Sequence, residues 1–168
     1  MKKKINTKLV GQVGEHLLSA KLGMMGFYAS PYAGNVPAFD VTAVNATTLE
    51  SFVLQVKAST TDTLIQSEIN KWIETQVDDT GLYRFGSEIP LNNPDMIWVA
   101  INLPNENLSQ ARFFLCNERD IQEAHINRFV NWIKSHGYRR PKRGKSMQSI
   151  LTISDLSKFE DNWSILYR

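Results

Sequence analysis

Three polar side chains stand close together in an otherwise apolar part of the chain: Asp40 near the start of one β-like run, and Gln55 and Lys57 near the end of the next. Successive side chains of a strand point to opposite faces, so Asp40, Thr42 and Val44 share one face of the run Phe39 to Val44. In the run Ser51 to Lys57 the same alternation puts Val53, Gln55 and Lys57 on one face and Phe52, Leu54 and Val56 on the other. Gln55 and Lys57 then project side by side, about 7 Å apart. The link Asn45 to Glu50 is short enough for a hairpin, and a turn centred on Thr47 and Thr48 sets Asp40 opposite Gln55.

A carboxylate, an amide and an amine on one face are costly to bury unless they pair with each other or hold something. The set suits a hard divalent cation, Mg²⁺ with Mn²⁺ as its substitute, because the Asp40 carboxylate, the Gln55 amide oxygen and the Val56 carbonyl are all oxygen donors. A lysine beside such an ion can orient or deprotonate water and offset the charge that develops on a phosphate. Without a ligand, Asp40 and Lys57 would form a surface salt bridge that contributes little.

These groups need a frame. Apolar residues at Leu9, Val13, Leu17, Ala20 and Met24 predict a half-buried helix from Leu9 to Met25, ended by Gly26. Glu15 falls at the edge of its apolar stripe, on the side of Leu18 and Leu22, where it can reach a sheet's rim. A short strand Phe27 to Ala29 precedes the hairpin. Ser59 to Asp62 carry helix-start chemistry, and Ile65, Ile69, Trp72, Ile73 and Gln76 predict a second amphipathic helix. Asp78 to Pro94 reads as a long loop with an extra short element. Met96 to Leu103 and Ala111 to Cys116 read as buried strands, and Asn117 as the cap of a helix to about Ser135. A strand Ser149 to Ile153 and a short helix near Asp155 to Phe159 close the pattern.

In this order, Glu15 within Gly11-Gln12-Val13-Gly14-Glu15, then Gly26-Phe27, Phe39-Asp40 and Gln55-Val56-Lys57, the first half of the chain resembles the PD-(D/E)XK nuclease superfamily. The helix acid followed by a strand acid and a strand lysine is similar to archaeal Holliday-junction resolvases, and the Gln-x-Lys form is similar to Mrr-type restriction endonucleases. The resemblance implies an α/β fold with a restriction-endonuclease-like αβββαβ core, a central mixed sheet flanked by helices. It also implies Mg²⁺-dependent hydrolysis of phosphodiester bonds, with DNA as the expected substrate. Asp40 would be the metal-binding acid, Gln55 the Glu/Gln position, Lys57 the catalytic lysine and Glu15 the helix acid of some branches. Such nucleases often act as homodimers. Phe39 replaces the nominal Pro, and Gln55 replaces the commoner Glu, removing one negative charge from the metal site. The alternative is a catalytically weak or inactive nuclease-fold module for nucleic-acid binding or assembly.

Charge placement agrees with a polyanionic partner. The 168 residues carry a net charge of only +2. Yet no acid lies between Glu123 and Asp155, where Arg128, Lys134, Arg139, Arg140, Lys142, Arg143 and Lys145 fall, and Lys2, Lys3, Lys4 and Lys8 crowd the start. Such clusters act locally, because the Debye length in physiological salt is about 8 Å. Arg139, Arg140, Lys142, Arg143 and Lys145 are the expected backbone contacts.

With 42% apolar residues the chain reads as one globular domain over residues 1–168, not a disordered one. The lone Cys116 cannot form an internal disulfide, and no run nears the roughly 20 apolar residues of a membrane span. The expectation is a cytoplasmic protein without a secretory leader and with no membrane partner. Gly144-Lys145-Ser146 lacks the upstream glycine of a phosphate-binding loop, and Glu15-His16 lacks the second histidine of a zinc helix. His125 and His136 read as helix-surface residues, and Cys116 as core. The four tryptophans read as packing residues, with an exposed one able to stack on a base.

Overall fold

Asn6 opens the first helix in the computed structural model, which describes residues 5–32, 39–142 and 144–167. Its side chain accepts the Lys8 backbone N–H, and α1 runs Thr7–Met24 with Val10, Gly14, Leu18 and Leu22 buried at four-residue spacing. Gly26, at φ +88°, takes the left-handed conformation that lets the chain turn from the helix into a strand. In chain order the strands that follow are β1 (Phe27–Pro31), β2 (Val41–Asn45), β3 (Ser51–Ser59), β4 (Thr63–Glu68), β5 (Ile73–Val77), β6 (Tyr83–Glu88), β7 (Ile97–Asn102) and β8 (Arg112–Asn117). Helix α2 (Glu118–Ser135), β9 (Gln148–Thr152) and the one-turn α3 (Ile153–Leu156) complete the chain with short 3₁₀ turns.

The central sheet is mixed, in the order β1-β2-β3-β7-β8. The first three strands form an antiparallel meander, β3 pairs in parallel with β7, and β7 pairs antiparallel with β8. Alternation sorts β7 between two cores: Ile97, Val99 and Ile101 join Leu18, Leu22, Val41, Leu54 and Val56 under α1. Ala100 and Trp98 join Phe114, Cys116, Ile121, Leu64, Ile65 and Leu151 on the opposite face. Both faces being covered explains why β7 and β8 are nearly continuous apolar runs. Asn117 caps α2 as expected, and reciprocally: its side chain accepts the Asp120 N–H, and the Asp120 carboxylate accepts the Asn117 N–H. Among the described residues no helix is long and apolar enough to cross a membrane.

The helix predicted over Ile65 to Gln76 is a correction. That stretch holds β4, a 3₁₀ turn at Ile69–Lys71 and the start of β5. The apolar spacing at 65, 69 and 73 is helical, but β4 finds its partner in β9, far along the chain, and β5 pairs with β6. The β-branched Thr63, Ile65, Ile73 and Thr75 suit that extended geometry. The crossover from β3 to the parallel β7 is therefore made of strands, where an αβββαβ core would carry a helix. Helix α2, arriving after β8, covers this face instead. Its buried Gln122 pins the crossover, donating from Nε2 to the carbonyls of Trp72 (2.9 Å) and Ile89 (2.8 Å).

His125 is a second correction: it is fully buried on the inner side of α2. Its ring stacks on Trp72 with centroids 5.4 Å apart, and Nδ1 lies 2.8 Å from the Ser149 hydroxyl. Burial, with a smaller push from Arg128 against the pull of Asp155, brings the imidazole down to about 4. Cys116 is core, as expected, and burial raises its thiol to about 12.

Two outcomes follow from this packing. A Cβ added at Gly14 would stand 2.5 Å from Ala58 Cβ, so the glycine sets how closely α1 seats on β3. Gly14→Ala should lower stability by about 1–3 kcal/mol in urea titration, and adding Ala58→Gly should recover part of it; an unchanged midpoint would contradict the close seat. His125 refuses a proton that the unfolded chain accepts, so its stabilising effect is complete above pH 6.5 and is lost as pH falls towards about 4. His125→Gln should flatten the acid limb of stability between those values, whatever its absolute stability; an unchanged slope would show that another group sets the limb.

Candidate active site

The register of the hairpin builds the site. Val41 faces Leu54 across β2 and β3, and the Asp40 N–H donates to the Leu54 carbonyl at 2.9 Å, so Asp40 lies opposite Gln55 as the sequence predicts. The Asp40 side chain then takes over as acceptor where the ladder ends. Its Oδ2 receives the Val56 backbone N–H at 2.7 Å and also the Gln55 side-chain Nε2. Both donors converge on one oxygen, and among the described residues Oδ1 accepts no hydrogen bond. Turning Nε2 to Asp40 commits the Gln55 amide nitrogen and leaves its carbonyl oxygen as a neutral acceptor that can also ligate a cation.

Glu15 directly follows Gly14, which seats closely against Ala58 of β3, and so comes to this corner. Its half-buried carboxyl is raised above the usual glutamate range, by burial first and by the negative charge of Asp40 second, against smaller opposing pulls from His16 and Lys57. The structure thus brings Glu15, Asp40, Gln55 and Lys57 into one electrostatic neighbourhood. Two carboxyls that repel one another, a spare carboxylate oxygen and two neutral oxygens, Gln55 Oε1 and the Val56 carbonyl, form a donor set that fits Mg²⁺. The fit leans on the neutral donors, since among the described residues no group of three or more His, Cys, Asp or Glu side chains is gathered to hold a metal.

Gln55 and Lys57 also line a cleft of about 620 Å³, beyond the Asp40 corner. Lys57 Nζ sits 5.8 Å from the centroid of the Trp98 ring, so the ammonium is placed over an aromatic wall. Lys71, Asn92, Asn93 and Glu118 are among the other polar residues of the lining, and burial raises the Glu118 carboxyl. Sequence reasoning missed these four because they meet only through the strand crossover that it read as a helix and a loop. One signal was present: Glu118 directly follows the cap Asn117, which fixes it at the start of α2.

The basic loop lies elsewhere, folded back on the β5–β6 hairpin. Tyr83, almost fully buried, donates its hydroxyl to the carbonyls of Gly144 (3.1 Å) and Ser146 (2.8 Å). Arg139 leans on Thr80, and Lys145 pairs with Asp79 at 2.9 Å. Arg140 lays its guanidinium 5.1 Å from the ring centroids of both Phe129 and Trp132 and donates Nη2 to the Gln148 carbonyl. Lys142 is exposed and makes no ion pair among the described residues. Arg143 lies outside the described residues.

Compared with protein-family models, with curated proteins and with solved structures, the chain gives no match in any of the three.

Proposed function

We propose that this chain is a metal-dependent nuclease of the PD-(D/E)XK kind, hydrolysing phosphodiester bonds of nucleic acid, with DNA the first substrate to try. The observation that carries the reading is the convergence at the end of the β2–β3 ladder: Asp40 opposite Gln55, Glu15 near enough to feel the Asp40 charge, and Lys57 two residues beyond Gln55. The motif read from sequence thereby becomes a three-dimensional set, which chance occurrence of Asp and Gln-x-Lys would not require.

Asp40, Gln55 and the Val56 carbonyl would hold Mg²⁺. Such an ion, when bound, supplies positive charge against the phosphate and acidity to water. The chain's own groups divide the remaining work. Lys57 donates from Nζ to a non-bridging phosphate oxygen and orients the attacking water, offsetting the charge that grows as the bond from water to phosphorus forms and the P–O bond to the leaving strand breaks, its oxygen taking a proton from solvent. Glu15, whose carboxyl binds a proton more readily than usual, is the group placed to accept one from water. The Trp98 wall and Asn92 and Asn93 border the cleft through which a strand would pass.

One observation favours the second reading, a nuclease-fold module that binds nucleic acid without cutting it. One oxygen of Asp40, Oδ2, is already taken by two protein donors, and no third acid joins the site among the described residues. A cleavage assay with Mg²⁺ on single-stranded, duplex and junction DNA and on RNA separates the two. The nuclease reading expects metal-dependent cleavage that EDTA abolishes, and losses of about 100-fold or more in Asp40→Ala and Lys57→Ala. Equal cleavage by both variants would refute the assignment, and an inactive wild type with no heat of Mg²⁺ binding would favour the module.

A further inference from the structure

A second cavity, of about 710 Å³, opens between α2 and the outer face of the β4–β9 pair. Its wall is unusual for a surface depression. Trp132 is 38% exposed, and Phe129 and the Arg140 guanidinium pack beside it. Arg128, held by Asp155 and Thr152, stands on the same side, and Gln66 and Ile150 face them from the strands. Among the described residues the buried Nε of Arg140 has no hydrogen-bond partner.

The position of this cavity matters as much as its lining. Gln66 lines both it and the cleft that contains Gln55 and Lys57. The two depressions therefore meet at one exposed residue of β4, and a flexible polymer lying over Lys57 can continue into the aromatic cavity.

We infer that this cavity seats an unpaired nucleobase, so that the preferred ligand of the site is single-stranded nucleic acid. The inference rests on the nucleic-acid part of the proposed function. A flat ring with polar edges can lie against the exposed part of the Trp132 indole, which also packs against His136 and the Arg140 guanidinium, and beside the Gln66 amide, and stacking of bases on aromatic side chains tolerates any sequence. A duplex cannot present that face, since its bases are covered by their neighbours and must be extruded to enter a pocket. The cations that would grip a duplex backbone are also partly engaged, Arg139 by Thr80 and Lys145 by Asp79. The basic stretch thus acts less as an open grip than as the rim of a base pocket.

The test is binding of the full chain to labelled oligothymidylate, oligouridylate and a DNA duplex of equal length, read by fluorescence anisotropy in EDTA so that nothing is cut. The single strands should bind at least about tenfold more tightly than the duplex, and Trp132→Ala should weaken strand binding about tenfold. Gln66→Glu, an exposed change that adds a negative charge at the junction of the two cavities, should also weaken it and guards against misfolding of the tryptophan variant. Duplex binding equal to strand binding, or both Trp132→Ala and Gln66→Glu binding like the wild type, would overturn the inference. Strand binding that depends on Trp132 in a protein that never cleaves would uphold the pocket and refute the nuclease; cleavage with Trp132-independent strand binding would do the reverse.

Discussion

The Asp40 carboxylate ends the β2–β3 ladder by accepting the Val56 N–H and the Gln55 amide at a single oxygen, and the placement of the candidate site follows from that register. A slip of one residue would turn Gln55 and Lys57 into the α1 core and expose Leu54 and Val56. Burial forbids it: Val41, Ala43 and Leu54 are wholly enclosed beneath α1. The same constraint sets the helix. Gly14 seats against Ala58, which leaves the next residue, Glu15, at the rim beside the hairpin, where its carboxyl feels both Asp40 and Lys57. Hydrophobic packing on one face of the sheet thus fixes polar geometry at its edge.

That part of the molecule was legible in the sequence because its determinants are local. A period of two, a short link and an apolar stripe at helical spacing suffice to pair Asp40 with Gln55 and to put Glu15 on a helix boundary. The cap at Asn117 is equally local, its partner Asp120 lying three residues on. The stretch from Thr63 to Val77 was not legible. Ile65, Ile69 and Ile73 fit a helix by spacing, and only the distant pairing of β4 with β9, invisible in a window of ten or so residues, decides for strands. The cleft was hidden for the same reason, since Lys71, Asn93 and Glu118 converge through that crossover. His125 was misplaced because an imidazole reads as polar, whereas here Trp72 and Ser149 meet its ring face and one nitrogen.

Charge illustrates how far composition can lead and where geometry takes over. A net charge of +2 conceals a long stretch without acids, and that stretch suggests a polyanion. In the fold, Tyr83 ties the stretch to the β5–β6 hairpin, and several of its cations already have protein partners. What distinguishes this surface is the alliance of Arg140 with Phe129 and Trp132, a feature of tertiary packing that charge counting does not reveal.

The divalent-cation site proposed at Asp40, Gln55 and the Val56 carbonyl can be seen or refuted in a crystal structure of the protein grown with Mn²⁺, examined for anomalous scattering. A bound ion should give a peak bonded to an Asp40 oxygen and to the oxygens of Gln55 and Val56, lost in Asp40→Ala. Well-ordered Asp40 and Gln55, still hydrogen-bonded to each other with no anomalous peak beside them at saturating Mn²⁺, would contradict it.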